Sequence, residues 1–338
     1  MCIVDVSVII VSYNTRSLAL ACLRSVFAQT AGLAFEVIVV DNASTDGSAE
    51  AIAEEFPQVR LIRSCKNLGF AGANNVAGRV ATGDWLLLLN PDTVVLDRAI
   101  AKLRAFGDRA AKEYPRVGIF GGRTLFGDGS LNPTCAWGRP TPWSMFCRAI
   151  GMASLFPRSR LFNQEAMPDW NRDTVREVDI VTGCFFLLRR SLWERLDGFD
   201  PAFFMYAEEA DFCLRSAGLG IRGMIVPDAT IVHYGGASER VRADKIVRLF
   251  RAKAMLMRRH WGRVAADLGV AMLSIWALTR LMAYSAKRLI TSACGDSLQT
   301  WLTVWNQRAQ WSLQQGSSWE KETGDGSGSP PGSRVRAI

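Results

Sequence analysis

The chain has 338 residues, 49% of them hydrophobic and 21% charged, a balance typical of a globular protein and not of a disordered one. That length is enough for one large α/β domain with an appendage or for two modest domains. The net charge of +8 and the isoelectric point near 9.3 indicate an anionic partner, which is nucleic acid, anionic lipid or a phosphorylated substrate.

Apolar runs and helical periodicities alternate over the first 90 residues. Buried strands are predicted at residues 6–11, 37–40, 59–62 and 85–89, and helices between them at residues 18–26, 52–56 and 71–81. This βαβαβαβ order predicts a parallel sheet with helices on both faces. In such sheets ligands bind beyond the carboxyl ends of the strands.

The rest of the chain divides into three parts. Residues 114–176 are rich in Gly, Pro and Trp, and their path is not predicted. Strand signals return at residues 178–181, 185–188, 221–226 and 230–233, with a helix at residues 208–217. We therefore place an α/β domain at residues 1–240, a basic helical extension at 241–312 and a disordered tail at 313–338.

The extension begins where the composition changes. Between Arg240 and Arg263 there are nine Lys or Arg residues and one acid, Asp244. The apolar stretch that follows, residues 268–278, is too short to span a bilayer, which takes about 20 residues. Its basic, Trp-containing flanks favour a helix lying in the membrane interface. The alternative is a helix packed on the α/β domain with a solvated basic face.

Cysteine usage and the N-terminus indicate a cytosolic protein. The eight cysteines form no CxxC pair and no zinc-type cluster with histidine, so reduced, mostly buried thiols are expected. The first residues run from Met1 into an apolar stretch with Asp5, without a basic region or a small-residue cleavage site. No signal peptide is expected there.

Polar clusters follow three of the predicted strands, at residues 12–15, 41–46 and 90–92. Carboxylates and amides at a strand end can bind base and ribose edges, although Asn, Ser and Asp are also ordinary turn and helix-cap residues. Asp92 could supply one oxygen ligand to a hard cation such as Mg²⁺ or Mn²⁺. Residues 67–75 are rich in Gly and Asn, but no GxGxxG follows the first strand, which argues against the usual dinucleotide fold.

Two further groups are candidates for chemistry. Glu208, Glu209 and Asp211 follow an apolar run, and adjacent like charges push one carboxyl pKa upward, as suits a general base. The alternative is a helix N-terminus enriched in acids. His233 ends a predicted strand before two glycines and is a candidate site residue, whereas His260, in the basic segment, is predicted to lie at the surface.

Taken in order, these stretches resemble glycosyltransferase family 2, and in particular its bacterial rhamnosyltransferase-like branch. The resemblance covers about residues 5–240 and rests on residues 11–14, 39–48, 67–70, 90–92, 182–183, 206–215 and His233. It implies the GT-A fold, a Rossmann-like, mostly parallel α/β domain. It also implies an inverting enzyme that uses a nucleotide-activated sugar and a divalent metal, Mg²⁺ or Mn²⁺.

The resemblance implies a role for each matching position. Asp92 and His233 would hold the metal, and Glu209 would be the catalytic base, with Glu208 in reserve. Thr182, Gly183 and Asp211 would border the sugar and the acceptor. The nucleotide and the donor pocket would be lined by Ser12, Asn14, Asp41, Ser44, Asn67, Asn74, Asn90 and Asp92.

The sequence departs from the family pattern at two positions. Asn90 stands where many relatives have the first acid of an Asp-x-Asp triplet, and a neutral amide is a poorer metal ligand than a carboxylate. Glu209 stands where relatives usually have the aspartate of a Glu-Asp pair. The longer side chain moves the carboxylate by roughly a bond length, which can matter for catalysis.

The preferred donor by branch resemblance is dTDP-L-rhamnose, with a UDP-sugar as the alternative. The expected acceptor is a glycan or a lipid-diphosphate carrier, and the expected location is the inner face of the cell membrane, where the basic extension meets an anionic surface. No nucleic-acid partner is expected, because no nucleic-acid module is recognised. A nucleotidyltransferase fits poorly, because Ser12–Arg16 lacks a Gly-rich phosphate loop. A non-catalytic sugar-nucleotide-binding scaffold is the alternative from another class.

Overall fold

A computed structural model describes residues 4–235, 242–290 and 295–312. The predicted tail at residues 313–338 lies outside these ranges. The first half of the described chain alternates strands and helices, as predicted up to residue 89; the strand and the helix at residues 93–113 were not predicted. Its elements are β1 (Val6–Ser12), α1 (Arg16–Gln29), β2 (Phe35–Asp41), α2 (Ser48–Glu55), β3 (Arg60–Arg63), α3 (Gly69–Val80), β4 (Trp85–Leu89), β5 (Thr93–Val95) and α4 (Ala99–Glu113).

The second half adds shorter strands and the helices that end the chain. Short 3₁₀ segments at Pro133–Cys135 and Gln164–Ala166 interrupt it. The remaining elements are β6 (Val117–Leu125), β7 (Leu131–Asn132), β8 (Ala136–Trp137), α5 (Pro142–Ala149), α6 (Met152–Leu155), β9 (Arg176–Val178), β10 (Ile180–Val181), β11 (Phe185–Arg189), α7 (Arg190–Arg195), α8 (Glu208–Gly218), β12 (Arg222–His233), α9 (Arg242–His260), α10 (Arg263–Arg288), α11 (Gly295–Asn306) and α12 (Ala309–Ser312).

The main sheet runs in the order β3-β2-β1-β4-β11-β6-β12-β5. β3, β2, β1 and β4 are parallel, β11 is antiparallel to both of its neighbours, and β5 closes one edge antiparallel to β12. The sheet is therefore mixed but mostly parallel. The carboxyl ends of β1, β2 and β4 meet at one edge, where the sequence places its polar clusters.

Both faces of the sheet are buried, which explains why β4 is wholly apolar and why four consecutive residues of β1, Val8 to Val11, are apolar. Successive side chains of a strand point to opposite faces. In β1, Ile9 and Val11 pack in one core, while Val8 and Ile10 pack in the other. The first core lies under α3 and α8, and the second under α1 and α4.

The structure corrects the sequence reading at three places. The strand predicted at 178–181 is two strands, β9 and β10, which belong to different sheets. The two strands predicted at 221–226 and 230–233 are one strand, β12, with a register shift between Val226 and Thr230. Strand β6 was not predicted, because its glycines hide the strand signal. A Cβ at Gly121 would meet Val181 and Ile225 at close range, so that glycine is needed for packing.

The last four helices form a separate third core together with Met145 of α5. Val247 and Phe250 of α9, Leu273 of α10 and Trp311 of α12 are buried in it. By length and composition α10 could cross a membrane: an 18-residue stretch of it has a mean hydropathy of 1.5 and is only 28% buried. The expectation that this segment is too short to span was therefore wrong, since small residues on both sides of 268–278 extend the apolar helix.

Helix α10 has two apolar faces. One face packs within the third core through Val270, Leu273 and Ala277. The other leaves Val264, Leu268, Ile275, Leu278 and Met282 exposed. The packing that the sequence left as an alternative is thus present on one face, and the opposite face is an open apolar stripe.

Of the six cysteines in the described residues, five are buried and all six are free. This agrees with the expectation of mostly buried, reduced thiols. Burial raises the pKa of the Cys22 and Cys213 thiols to about 12, so these two groups stay protonated and act as small apolar side chains.

Candidate active site

A cavity of about 450 Å³ opens beside the ends of β4 and β12 and the start of α8. These elements and the segment between β10 and β11 come from distant parts of the sequence, yet seven of the predicted site residues line this one cavity. The seven are Asn90, Asp92, Thr182, Gly183, Glu208, Glu209 and His233. The cavity is therefore the candidate site, and the sequence motifs predicted most of its polar lining.

Asp92 and His233 face each other in this cavity. His233 ends β12, and its pairing with Thr93 of β5 brings it beside the turn that carries Asp92. The His233 Nε2 atom lies 3.3 Å from Asp92 Oδ1 and 3.3 Å from Asn90 Nδ2. Burial lowers the pKa of His233, but the neighbouring Cys184 and Asp92 outweigh it and raise that pKa to about 10.

The fit of a divalent cation to this pair can be judged from the donor atoms. The pair offers one carboxylate oxygen and one imidazole nitrogen, both ordinary ligands of Mn²⁺. In the described residues no group of three or more His, Cys, Asp or Glu converges on one point. Asn90 Oδ1 is buried there and lacks a hydrogen-bond partner within the described part of the chain. The donor set fits a cation that takes its other ligands from a substrate diphosphate and water.

Glu208 and Glu209 stand in the first turn of α8, directly after two residues with positive φ. Tyr206 has φ of 72° and Ala207 has φ of 66°. Non-glycine residues in this region are strained and occur often at functional sites. The strained turn starts the helix so that both glutamates reach the cavity wall.

Both glutamates have raised pKa values. Burial and the neighbouring Glu209 carboxylate raise the pKa of Glu208 well above its ordinary value, and burial also raises that of Glu209. Glu208 is 5% exposed, and its Oε2 atom has no partner among the described residues. Glu209 is less buried, so it is the more accessible of the two proton acceptors.

The loop at residues 67–70 packs against the segment that leads into the strained turn at Tyr206 and Ala207. The Phe70 amide donates to the Phe204 carbonyl at 2.7 Å. Gly69 has φ of +71°, and a Cβ at this position would overlap the same Phe204 carbonyl. Gly69 is therefore needed both for its backbone conformation and for this close approach.

The side-chain amides of two asparagines hold that loop and its neighbourhood, and the sequence-based prediction gave neither of them a role. Asn42 Nδ2 donates to Asn67 Oδ1 at 2.9 Å, and Asn42 Oδ1 accepts from the Leu68 amide at 2.8 Å. Asn75 bonds both the amide and the carbonyl of Phe199. Both asparagines sit in the motifs quoted above, but only their long-range partners show what they do.

Four predicted nucleotide ligands converge at the ends of β1 and β2. Ser12 is paired with Asp41 across the strands. The Asn14 amide donates to Ser44 Oγ at 3.0 Å, and the Ser44 amide donates to Asp41 Oδ2 at 3.2 Å. The second oxygen of Asp41, Oδ1, is buried without a hydrogen-bond partner in the described residues. This cluster holds an acceptor atom ready for a donor group such as a base N–H.

Besides those four, three more predicted site residues do not line the cavity. Asn67 Oδ1 accepts from the Gly69 amide at 2.9 Å, so its side chain stabilises its own loop. Asn74 is 1% exposed, and its Nδ2 donates to the Phe70 carbonyl. Asp211 is fully buried on the other side of α8. The reason is helical geometry: Asp211 is two residues beyond Glu209, about 200° around the axis.

The prediction that His260 lies at the surface was wrong. His260 is partly buried, and its Nε2 atom lies 2.8 Å from Asp211 Oδ1. The same carboxylate pairs with Arg215 at 2.7 Å and Arg259 at 3.1 Å. Burial alone would raise the pKa of Asp211, but His260, Arg215 and Arg259 together hold it below its ordinary value. The basic segment thus docks on the α/β domain through this carboxylate.

One lining residue comes from the appended helices. Lys245, in the first turn of α9, reaches the cavity that holds Glu209 and His233. The sequence reading counted it only as part of a basic run, because nothing in its neighbourhood marks it. Its position depends on the docking of α9.

Comparisons with known proteins identify the family of the chain. Residues 7–196 match the family model described as glycosyl transferase family 2. The chain is 30% identical over 212 residues to the N-acetylglucosaminyl-diphospho-decaprenol L-rhamnosyltransferase of Mycobacterium tuberculosis, which covers 59% of this chain and 66% of that protein. It is 36% identical over 102 residues to the rhamnosyltransferase WbbL of Escherichia coli K12, covering 28% of this chain and 38% of that protein. The matched part is thus slightly less than two thirds of the mycobacterial relative.

A solved structure with a similar fold is the mannosyltransferase PcManGT of Pyrobaculum calidifontis, determined in complex with GDP-mannose and Mn²⁺. It superposes with a TM-score of 0.57 at 22% sequence identity, covering 94% of this chain and 88% of that one. At this identity the likeness concerns the fold. It confirms the GT-A type of α/β architecture predicted from the sequence.

Proposed function

Since the chain belongs to glycosyl transferase family 2, we propose that this glycosyltransferase uses dTDP-L-rhamnose as its donor. It transfers L-rhamnose to a hydroxyl group of a glycan or lipid-linked acceptor, with inversion at the anomeric carbon. The observation that carries the proposal is that one cavity is lined both by Glu208 and Glu209 and by the Asp92–His233 pair. A base and a diphosphate-binding pair are what such a displacement needs.

Glu209 is the proposed base. Its carboxylate takes the proton of the acceptor hydroxyl while that oxygen attacks the anomeric carbon. The bond from this carbon to the nucleoside diphosphate breaks on the opposite side, and the diphosphate leaves with the electron pair. A raised pKa suits the role, because a stronger base accepts the proton more readily at neutral pH. Glu208, deeper and more buried, is the reserve candidate.

Asp92 and His233 are the proposed holders of Mg²⁺ or Mn²⁺. When bound, such a cation neutralises charge that develops on the departing diphosphate. Asn90 lies against His233 and keeps the imidazole in place. Ser12, Asn14, Asp41 and Ser44 form the proposed nucleotide subsite, with Asp41 Oδ1 as the free acceptor for the base.

The proposed place of work is the inner face of the cell membrane, in the synthesis of cell-envelope polysaccharide. Three observations support it. The mycobacterial relative is named for a polyprenyl-diphosphate acceptor. Helix α10 has an open apolar stripe, and it ends at the basic Lys287 and Arg288. Such a stripe with basic flanks suits the boundary between headgroups and acyl chains. Flotation with vesicles that contain anionic lipid, against vesicles of neutral lipid, tests this location.

Donor binding tests the proposed reaction. Calorimetric titration with dTDP-rhamnose and with UDP-sugars, each with and without Mn²⁺, should give metal-dependent binding of dTDP-rhamnose. Metal-dependent binding of a UDP-sugar alone would replace the donor and keep the transferase. Binding without metal-dependent hydrolysis or transfer would favour the non-catalytic scaffold instead.

A further inference from the structure

Helix α9 presents a row of basic side chains to the α/β domain. Lys245, Lys253 and His260 are spaced by eight and seven residues. At 100° per residue they lie within about 80° of one another around the helix axis. The row runs along one face, from the cavity at the first turn to the back of α8 at the last turn.

Two members of this row meet a carboxylate of the protein. Lys253 Nζ lies 3.6 Å from Glu165 Oε2, which is 5% exposed and also pairs with Arg148. His260 Nε2 lies 2.8 Å from the fully buried Asp211. Each of these contacts joins α9 to the rest of the chain. Their partners are internal, so neither side chain is available to a ligand.

Lys245 differs from the other two. It lines the cavity with Asp92, Glu208 and Glu209, yet within the described part of the chain it forms no hydrogen bond and no ion pair. The cavity wall also contains the nine-tenths-buried Glu208, whose Oε2 atom lacks a partner among the described residues. A cation that faces a cavity without a protein anion on it is placed for an anionic ligand.

We propose that Lys245 is a phosphate-binding residue of the active site, whose ammonium group pairs with a phosphate of a diphosphate substrate. The inference rests on the proposed function, in which both the nucleotide-sugar donor and a lipid-linked acceptor carry a diphosphate. A cavity lined by carboxylates repels such a group. Lys245 supplies positive charge at its wall, and it comes from the helical extension, beyond the part of the chain that matches the family model.

A competing role for Lys245 is to hold the ionised form of Glu209, the base. The two roles predict changes in different measured quantities. A lysine that stabilises the ionised base lowers its pKa, so removing the lysine shifts the acid limb of the pH–rate profile to higher pH. A phosphate ligand leaves that limb in place and weakens substrate binding.

The test compares wild type with Lys245→Gln, Lys245→Arg and the matched control Lys112→Gln, which removes an exposed lysine of α4. The measurements are the Kd of dTDP with Mn²⁺, the KM of N-acetylglucosaminyl diphosphate carrying a short prenyl chain, and the pH profile of kcat/KM. Lys245→Gln should weaken the binding of one of the two ligands about tenfold, and Lys245→Arg should weaken it less. Lys112→Gln should change the binding of neither ligand.

The arms identify the phosphate. A raised Kd for dTDP assigns the donor diphosphate, and an unchanged Kd with a raised acceptor KM assigns the acceptor diphosphate. Unchanged values for both ligands in Lys245→Gln, or a shifted acid limb alone, overturn the inference while the transferase remains. Wild-type protein that binds no nucleoside diphosphate at all overturns the proposed function and this inference with it.

Discussion

Helix α8 carries Glu208, Glu209 and Asp211 in its first turn, but the carboxylates meet two different regions of the molecule. The glutamates face a cavity, where burial raises their pKa values. Asp211 faces α9, and His260 and Arg259 of α9, together with Arg215 of α8 itself, lower its pKa. The difference teaches that position around the helix axis, and not the acidic sequence, decides whether the pKa of each carboxylate is raised or lowered.

The substitution with the largest expected effect on this contrast removes the loop contact that supports the turn before α8 on its cavity side. Gly69→Ala places a methyl group against the Phe204 carbonyl, at a position whose φ of +71° already disfavours alanine. We expect loss of the strained turn that aims the glutamates, with destabilisation of more than about 3 kcal/mol. Urea unfolding and a transfer assay measure both effects.

Gly129→Ala is the matched control for Gly69→Ala. Gly129 also has positive φ, but a Cβ there meets no atom within 4 Å. Gly129→Ala should therefore lower the free energy of unfolding only by the backbone strain, about 1–2 kcal/mol. Equal losses in the two variants would mean that the contact with Phe204 contributes nothing.

The opposite side of α8 is tested by Asp211→Asn. The change leaves Arg215, Arg259 and His260 around a buried neutral amide, and breaking a buried ion pair in this way costs about 3–5 kcal/mol. Because the pKa of Asp211 is lowered in the folded state, its contribution to stability is present above the ordinary aspartate pKa and is lost as the pH falls through the folded value. The difference in free energy of unfolding between wild type and variant should therefore shrink in acid.

Asp244→Asn, on the exposed part of α9, controls for the loss of one acid. It should change the free energy of unfolding by less than about 0.5 kcal/mol. A variant Asp211→Asn as stable as this control at pH 7 would contradict the docking role of Asp211.

Glu208→Gln should have the smallest effect and the opposite sign. The folded state raises the pKa of Glu208, so the wild type loses stability as the pH rises from the ordinary glutamate pKa to the folded value. The amide removes that penalty, and we expect a gain of about 1 kcal/mol at pH 7 that vanishes below about pH 4. Thermal unfolding across this pH range checks it, and a loss of stability at pH 7 would contradict the raised pKa.

The fold and the cavity side of α8 could be predicted in large part from the sequence. The strands β1, β2 and β4 are short, each contains an apolar run of at least four residues, and polar residues follow each run, so the sequence marks the edge of the sheet. Asp92, His233, Glu208 and Glu209 come from three motifs whose order indicated one site. The first turn of a helix and the end of a strand are local features, and local signals sufficed.

The other side of α8 could not be predicted, because it depends on contacts between distant segments. His260 meets Asp211 across 49 residues of chain, and nothing near either residue marks the pair. Asn74 and Asn67 were expected in the donor pocket, but only the three-dimensional path shows that their amides bond to the backbone of their own loop and helix. The role of Lys245 likewise depends on how α9 docks, which no local pattern encodes.

The central claim is that Glu209 is the base in this cavity. The most direct measurement is the pH profile of kcat/KM for transfer, with Mn²⁺, by wild type, Glu209→Gln and Asp211→Asn, together with donor affinity. We expect the acid limb of the wild-type pH profile to lie above the ordinary glutamate pKa. Glu209→Gln should lose transfer by about 10²–10⁴-fold, with its donor affinity unchanged. Asp211→Asn should keep the limb. If Glu209→Gln retains both the transfer activity and the acid limb of the profile, Glu209 is not the base.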